Sequence, residues 1–233
     1  MILRQILQKT LPALPLLVGA FFIHSALGAG YVVPSASMEP TLEIGDEIIA
    51  VVPSYGWGTA NLPFAAQIPA LPHLRIFTHL PHRGDVVVFR APANLNETWV
   101  KRVIGLPGDR VALSNGHVFL NGKALPWHDK GPDQAELTPG IFTPARRYEE
   151  TLPDGTHHDI LKLTTAGTLD TVSTFTVPAG QLFVMGDNRD DSADSRVPAT
   201  DGGVGLLPVW NLQGKAVTVL FSWRNLKRLL LSV

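Results

Sequence analysis

Two serines, Ser35 and Ser37, stand two positions apart in a short segment that directly follows the most apolar part of the chain. In an extended strand, residues two apart face the same side, so both hydroxyl groups could address one site. A serine hydroxyl becomes a nucleophile when a neighbouring base takes its proton. On composition alone, however, a segment this rich in serine and proline is typical of an ordinary turn, and the spacing does not separate the two interpretations.

Lys101 is a candidate for that base, since it stands between Val100 and Val103 in an apolar, strand-like run. At its reference pKa of about 10.4, a lysine is a cation near neutral pH and cannot accept a proton. Burial can lower that pKa by several units, which brings it close to the working pH that general-base catalysis needs. A salt-bridged lysine on an edge strand would show the same local sequence, so both interpretations stay open.

Other hydrolytic and metal-dependent chemistry finds little support in the residues. The chain has no cysteine, and it lacks the His-Glu-x-x-His, Gly-x-Ser-x-Gly and Gly-x-x-x-x-Gly-Lys motifs. His157 and His158 are adjacent and stand beside Asp159. Such a pair is more typical of a solvated loop than of metal ligands. An acidic cluster is formed by Asp187, Asp190, Asp191 and Asp194. It does not match the calcium-binding loop pattern, because the third position is arginine and the sixth is not glycine. We therefore predict no metal site.

The N-terminal segment predicts a membrane anchor. Residues Leu11 to Tyr31 are apolar apart from His24 and Ser25, and about 20 such residues cross a bilayer. Positive charge precedes the run, at Arg4 and Lys9, and the next Lys or Arg is Arg75. This asymmetry predicts a cytoplasmic N-terminus and an external body. A cleavable signal peptide with its core at Leu11 to Ile23 fits the segment equally well.

The body of the 233-residue chain predicts a mainly β fold. Short apolar runs alternate with turn signals, and we predict strands over Glu47–Val52, Asp85–Arg90, Thr98–Ile104, Asp109–Leu113, Gln181–Met185 and Lys215–Trp223. The pairs Asn115-Gly116 and Asn121-Gly122 predict tight hairpin turns. The net charge of −1 gives no electrostatic reason to expect nucleic-acid binding.

Three further segments have weaker signals. Pro53 to Pro81 is rich in proline, glycine and aromatic residues without periodicity, which predicts an irregular surface or membrane-facing loop. Residues 113–176 are polar and rich in turns, which predicts an inserted β subdomain. The tail from Trp223 to Val233 carries basic residues among leucines, and it predicts either an amphipathic helix on the membrane or a terminal core helix.

Four runs of this sequence, taken in order, resemble the sequence boxes of bacterial type I signal peptidases, which are serine/lysine proteases. The runs are Tyr31 to Leu42, Arg83 to Phe89, Trp99 to Val111 and Met185 to Arg196. They are long and specific, and the resemblance extends from residue 31 to about residue 196. It is weak in the inserted segment and at both ends of the chain.

The resemblance implies a role for individual residues. Ser37 matches the family's nucleophile and Lys101 its general base. Ser35 matches the residue whose hydroxyl stabilises the oxyanion together with the Ser37 amide, and Ser192 matches the serine that orients the lysine amine. Asp194 and Arg196 match a structural ion pair. The positions that line the family's substrate pockets correspond to Tyr31, Val33, Pro34 and Val100.

Two positions depart from the family pattern. Asp191 stands where the family has asparagine, and its added negative charge predicts a higher pKa for the lysine. After Arg196, the usual aromatic-rich stretch and glycine are replaced by Val197 to Gly203. This second departure affects the expected geometry of the loop, not the catalytic pair.

The resemblance also implies the organisation and the biological role. Expected are an anchor at residues 1–30, an antiparallel catalytic β domain at 31–112 and 177–223, the insertion at 113–176 and a tail at 224–233. The expected enzyme is a monomeric endopeptidase that crosses the cytoplasmic membrane once and contacts membrane lipid. It needs no cofactor, and it cuts signal peptides from exported preproteins on the external side of the membrane. A specialised relative that processes one pilin or conjugation partner, or an inactive membrane-tethered scaffold, are the alternatives.

Overall fold

Antiparallel strands are the main regular structure in the computed structural model, which describes residues 28–62 and 72–233. Strands β1 to β17 run, in order, over Gly28–Val32, Asp46–Val51, Trp57–Gly58, Arg75–Ile76, Val86–Ala91, Asn94–Gly105, Arg110–Ser114, His117–Leu120, Lys123–Ala124, Trp127–Thr138, Ile141–Thr151, His157–Lys162, Val172–Thr176, Gln181–Met185, Leu207–Pro208, Leu212–Ser222 and Leu231–Ser232. Short 3-10 helices cover Ala36–Met38, Val52–Tyr55, Thr59–Asn61, Ala199–Asp201, Val209–Asn211 and Leu226–Arg228.

The largest sheet has eight strands in the order β1-β2-β16-β5-β6-β14-β15, with β17 also paired to β16. Every pairing within it is antiparallel. Strand β6, which carries Lys101, therefore lies in the interior of the sheet between β5 and β14. Strand β1, which leads into Ser35 and Ser37, has a strand partner on one side only among the described residues.

The predicted β class is confirmed. Each of the six predicted strands is present, with ends that differ by a few residues; the strand predicted over Gln181–Met185 has those bounds. Both Asn-Gly pairs form the turns of consecutive hairpins, with positive φ at Asn115 and Asn121 of 49° and 53°. Such turns match the right-handed twist of the strands that they connect.

The segment predicted as an insertion, residues 113–176, begins at the end of β7 and includes β13. It contributes a three-stranded sheet, β10-β11-β12, and it completes a four-stranded sheet, β13-β7-β8-β9. Strands β10 and β11 are long, with 12 and 11 residues, and they form one extended hairpin. The division of the chain into domains stays a prediction.

Three groups of buried apolar side chains stabilise these sheets. One group lies beneath the serine segment and includes Met38, Leu42 and Val88. A second packs around Phe89 and Leu207. The third lies where the large sheet meets the four-stranded sheet and includes Ile104 and Phe183. Burial of large apolar side chains is the main stabilising contribution in such a fold.

Most of the predicted anchor lies outside the described residues. Its last residues, from Gly28 to Tyr31, form part of β1 and hydrogen-bond to β2. The end of the apolar run, from residue 28 onwards, is therefore paired in the sheet. None of the helices in ranges 28–62 and 72–233 is long and apolar enough to cross a membrane.

The predicted tail helix is wrong in both of its forms. After Trp223, the chain makes one 3-10 turn and then strand β17, which pairs with Thr218 and Val219 of β16. Strand β5 pairs with β16 only as far as Lys215. Beyond Lys215, the backbone groups on this edge of β16 are therefore available to pair with β17. The buried guanidinium of Arg228, bonded to the Asp46 carboxylate at 2.8 Å, holds the chain in this path.

The excursion predicted from Pro53 to Pro81 is irregular where it is described. It contains two 3-10 turns and the two-residue strands β3 and β4. Arg75 stabilises it with hydrogen bonds to the carbonyl oxygens of Tyr55 and Leu212, at 2.9 and 2.8 Å. The central part of the excursion lies outside the described residues.

Candidate active site

Ser37 lies in the 3-10 helix that follows β1. The backbone is extended at Ser35, with φ −139° and ψ 160°, and then enters the helical turn Ala36–Met38. Within this turn the N–H of Glu39 donates to the carbonyl of Ala36 at 2.9 Å, and the Ser37 N–H, at the start of the turn, has no partner inside it. The Ser37 side chain is buried, with 9% of its surface exposed.

Lys101 approaches Ser37 from strand β6. Its Nζ lies 2.7 Å from Ser37 Oγ and 3.0 Å from the carbonyl oxygen of Val100. Only 4% of the lysine surface is exposed. The two predicted reactive groups, 64 residues apart in the chain, are therefore in direct hydrogen-bond contact.

The surroundings of Lys101 shift its pKa towards neutral pH. Burial lowers the pKa of Lys101 to about 8, because the ammonium ion loses its hydration. Negative charge on Asp194, Asp187 and Asp191 opposes this shift, and Arg196 adds to it. Asp191 therefore acts on the lysine pKa in the direction that the sequence predicts.

Ser35 is exposed at the rim of the site, and its hydroxyl oxygen lies 3.4 Å from that of Ser37. Ser192 lies in the same cavity as Lys101. Its buried hydroxyl has no hydrogen-bond partner among the residues that the structure describes. The predicted hydrogen bond from Ser192 to the Lys101 amine is thus not formed here, and the orienting role of Ser192 stays a prediction.

Two buried ion pairs flank the site. Arg196 donates two hydrogen bonds of 2.8 Å to Asp194, which also accepts the N–H of Gly186 at 2.9 Å. Arg102, next to Lys101, donates at 2.8 and 2.7 Å to Asp187. Burial alone would raise the pKa of Asp194 and of Asp187, but the adjacent guanidinium groups keep both pKa values below their ordinary range.

A cavity of about 470 Å³ opens beside Ser37 and Lys101. All four predicted pocket residues line it, and they are Tyr31, Val33, Pro34 and Val100. The lining is largely apolar and comes from both β1 and β6. Such a groove suits small apolar side chains, and the one-sided strand β1 beside it suits an extended chain.

Several residues at the site are not singled out by the sequence analysis. Gly186 is one, since a Cβ atom there would lie 2.3 Å from Ser192 Oγ and from the Ser37 carbonyl oxygen. Glu150, from the inserted segment, is another: its carboxylate binds the fully buried guanidinium of Arg189 at 3.0 and 2.6 Å. His158, predicted to be solvated, is instead buried, 3.3 Å from the same carboxylate.

In the described part of the chain, no group of three or more His, Asp or Glu side chains is arranged to hold a metal ion.

Comparison with known proteins gives consistent matches. A family model described as "Signal peptidase, peptidase S26" matches residues 4–223. Signal peptidase I of Rickettsia akari is 35% identical over 209 residues, which cover 87% of this chain and 75% of that protein. Signal peptidase I of Pseudomonas fluorescens is 35% identical over 216 residues, covering 90% and 70%. The crystal structure of a signal peptidase I from Enterococcus faecalis is 26% identical with a TM-score of 0.34, and the match covers 59% of this chain and 97% of that one.

Proposed function

Because this chain belongs to the peptidase S26 family of signal peptidases, we propose that it is a serine endopeptidase that uses a Ser37–Lys101 dyad to cleave signal peptides from exported preproteins. The observation that carries the proposal is the 2.7 Å approach of the Lys101 amine to the Ser37 hydroxyl inside a cavity open to a peptide. The lowered pKa of the lysine supports the role of base.

The reaction follows from these two groups. The neutral Lys101 amine takes the proton of Ser37 Oγ while that oxygen attacks the scissile carbonyl. The resulting ammonium returns the proton to the departing amine as the peptide bond breaks, leaving an acyl ester on Ser37. Lys101 then deprotonates a water molecule, which attacks the ester, and the proton passes to Ser37 Oγ as the signal peptide leaves.

The oxyanion of each tetrahedral intermediate would receive hydrogen bonds from the Ser35 hydroxyl and the Ser37 N–H. The position of Ser35, 3.4 Å from the nucleophile, supports this role. Removing one such donor typically reduces the rate by about 10² to 10³. Ser192 would orient the lysine amine, and the Asp194–Arg196 pair would support the loop that carries Ser192.

The substrate would bind as an added β-strand along β1. In this family, signal peptides have small residues, usually alanine, at the first and third positions before the cut. The cavity lined by Tyr31, Val33, Pro34 and Val100 supports the same preference here. Neither a metal ion nor an organic cofactor takes part in the proposed mechanism.

We also propose that the enzyme lies at the bacterial cytoplasmic membrane. The apolar N-terminal segment would span the bilayer once and hold the catalytic region on the external side, where leader peptides emerge. Membrane lipid and preproteins are then its partners, and the proposed active unit is a monomer.

The test is cleavage of a purified preprotein by the detergent-solubilised full chain. Wild-type protein should release the signal peptide, whereas Ser37→Ala and Lys101→Ala should remain folded and inactive. Ser173→Ala and Lys123→Ala, at exposed positions outside the cavity, are the matched controls and should cleave normally. Retained cleavage by either dyad variant would reject the assignment.

A panel of preproteins distinguishes a general signal peptidase from an enzyme dedicated to one substrate. Broad cleavage of leaders with small residues before the cut indicates general processing. Cleavage of one pilin-like or conjugation substrate alone indicates a dedicated enzyme. An inactive scaffold would cleave none of them.

A further inference from the structure

The loop that carries Ser192 is hydrogen-bonded to strand β12 of the inserted segment. Leu161 donates its N–H to the carbonyl of Asp187 at 2.9 Å, and its carbonyl accepts the N–H of Arg189 at 2.9 Å. Between them, the N–H of Asn188 donates to the carbonyl of Ser37 at 3.2 Å. A continuous set of backbone contacts thus connects the insertion with the nucleophile.

The next residue of the loop, Asp190, is held by its side chain. Its carboxylate accepts the ammonium of Lys162 and the N–H groups of Leu163 and Thr164, the last two at 2.7 and 3.0 Å. All three donors come from consecutive residues at the end of β12. The Lys162 and Asp190 side chains are each only 7% exposed, so the ion pair is shielded from water.

Asp170 completes this buried cluster. It accepts the Lys162 ammonium at 2.6 Å and the N–H of Gly167 at 2.7 Å. A Cβ atom at Gly167 would lie 2.7 Å from the Asp190 carboxylate, so the loop closes directly over the ion pair. Lys162 is therefore the one cation between two buried carboxylates in this cluster, and the uncompensated carboxylates would repel each other without it.

We propose that Lys162 is a positioning residue for the peptidase reaction, which fixes Asp190 so that Asp191 and Ser192 stay in the catalytic cavity. The inference rests on the proposed function. Lys162 itself lies outside the cavity that contains Ser37, Lys101 and Ser192. It acts through Asp190, two residues before Ser192, and has no contact with the reacting atoms.

A purely structural role for Lys162 gives different expectations. If the cluster only stabilised the insertion, a folded variant would keep the wild-type kcat. If Lys162 positions the loop, misplacement of groups around Ser37 and Lys101 by about 1 Å is sufficient for a hundredfold loss. The loss should then depend on Asp190, because Lys162 acts through it.

The first variant is Lys162→Met combined with Asp170→Asn. Together these changes remove one cation and one carboxylate, so the cluster keeps its net charge of −1 and avoids two uncompensated carboxylates. We expect a native circular dichroism spectrum, a kcat lower by about 10- to 100-fold, and a KM within about threefold of wild type. Lys130→Met is the control, since Lys130 forms an ion pair with Asp159 in the same sheet at 2.8 Å but does not contact the loop.

A double-mutant comparison with Asp190→Asn tests whether Lys162 acts through Asp190. Once Asp190 is neutral, adding Lys162→Met should lower kcat no further, whereas independent effects would multiply. Multiplicative losses, or wild-type kcat in the folded Lys162→Met/Asp170→Asn protein, would overturn the positioning role. Wild-type protein that fails to cleave any preprotein would instead reject the peptidase function, and the positioning role with it.

Discussion

Gly186 lies directly against Ser192: a Cβ atom at position 186 would come within 2.3 Å of the Ser192 hydroxyl oxygen. The same atom would lie 2.3 Å from the carbonyl oxygen of Ser37. Real side chains do not approach so closely, so the absence of a side chain at this position is what lets the two serine-bearing segments meet.

Gly186→Ala should therefore damage both stability and activity. Overpacking at a tight position usually destabilises a protein by about 1–3 kcal/mol, and displacement of either serine should reduce kcat/KM by roughly a hundredfold. Urea denaturation and peptide cleavage measure the two effects. Gly30→Ala is the control for the stability effect, because a Cβ atom there meets nothing within 4 Å. Wild-type kcat/KM in the Gly186→Ala protein would contradict the close approach.

Asp191→Asn should shift the pH profile of the enzyme towards acid. Cleavage needs neutral Lys101, so kcat/KM should rise with pH through the pKa of about 8. Since Asp191 raises that pKa, its neutralisation should increase kcat/KM at pH 7 by roughly two- to fivefold. Asp201→Asn, in the exposed turn at Ala199–Asp201, should leave the profile unchanged. An unshifted or more alkaline profile for Asp191→Asn would show that the two groups do not interact.

Lys101→Met should abolish cleavage while stabilising the fold at neutral pH. The pKa of about 8 in the folded protein is lower than the unfolded value, so burial of the ammonium opposes folding fully below pH 8. That penalty fades as the pH rises from 8 to about 10.4. We expect a gain of about 1–3 kcal/mol in the free energy of unfolding at pH 7, absent at the exposed control Lys123→Met. A loss of stability at pH 7 would mean that the lysine is not disfavoured by its surroundings.

Arg196→Met should be strongly destabilising, because it leaves the carboxylate of Asp194 buried without its cation. Both side chains are at most 1% exposed, and breaking such a pair typically costs about 3–5 kcal/mol. Arg146→Met provides the comparison, since the Arg146–Asp129 pair is half exposed and screened by water. Urea denaturation of the two variants should show a large loss for the buried pair and little change for the exposed one; equal losses would refute the argument from burial.

Local sequence is informative about strands and tight turns here because these depend on nearby residues. Short apolar runs bounded by turn signals predict β2, β5 and β6 to within a few residues. Asn115 and Asn121 predict their hairpins because few other residues tolerate positive φ. Lys101 is predictable as a candidate base from its apolar neighbours, but its contact with Ser37 follows only from the pairing of strands distant in the chain.

The residues that local sequence does not predict are those whose partners lie far away. Glu150 looks like an ordinary polar residue of a strand, and its burial becomes intelligible only when Arg189 is seen beside it. Lys162 is equally inconspicuous without Asp190. In the tail, leucines and basic residues have a helical appearance, yet the free edge of β16 and the Asp46 carboxylate determine the path of the chain.

Among residues 28–62 and 72–233, β1 pairs on one side only, which has a consequence for handling the protein. Unpaired backbone groups on a strand edge accept any extended chain, including the same strand of another molecule. Concentrated, peptide-free preparations should therefore associate edge to edge at β1, and a bound peptide inhibitor should keep them monodisperse in light scattering.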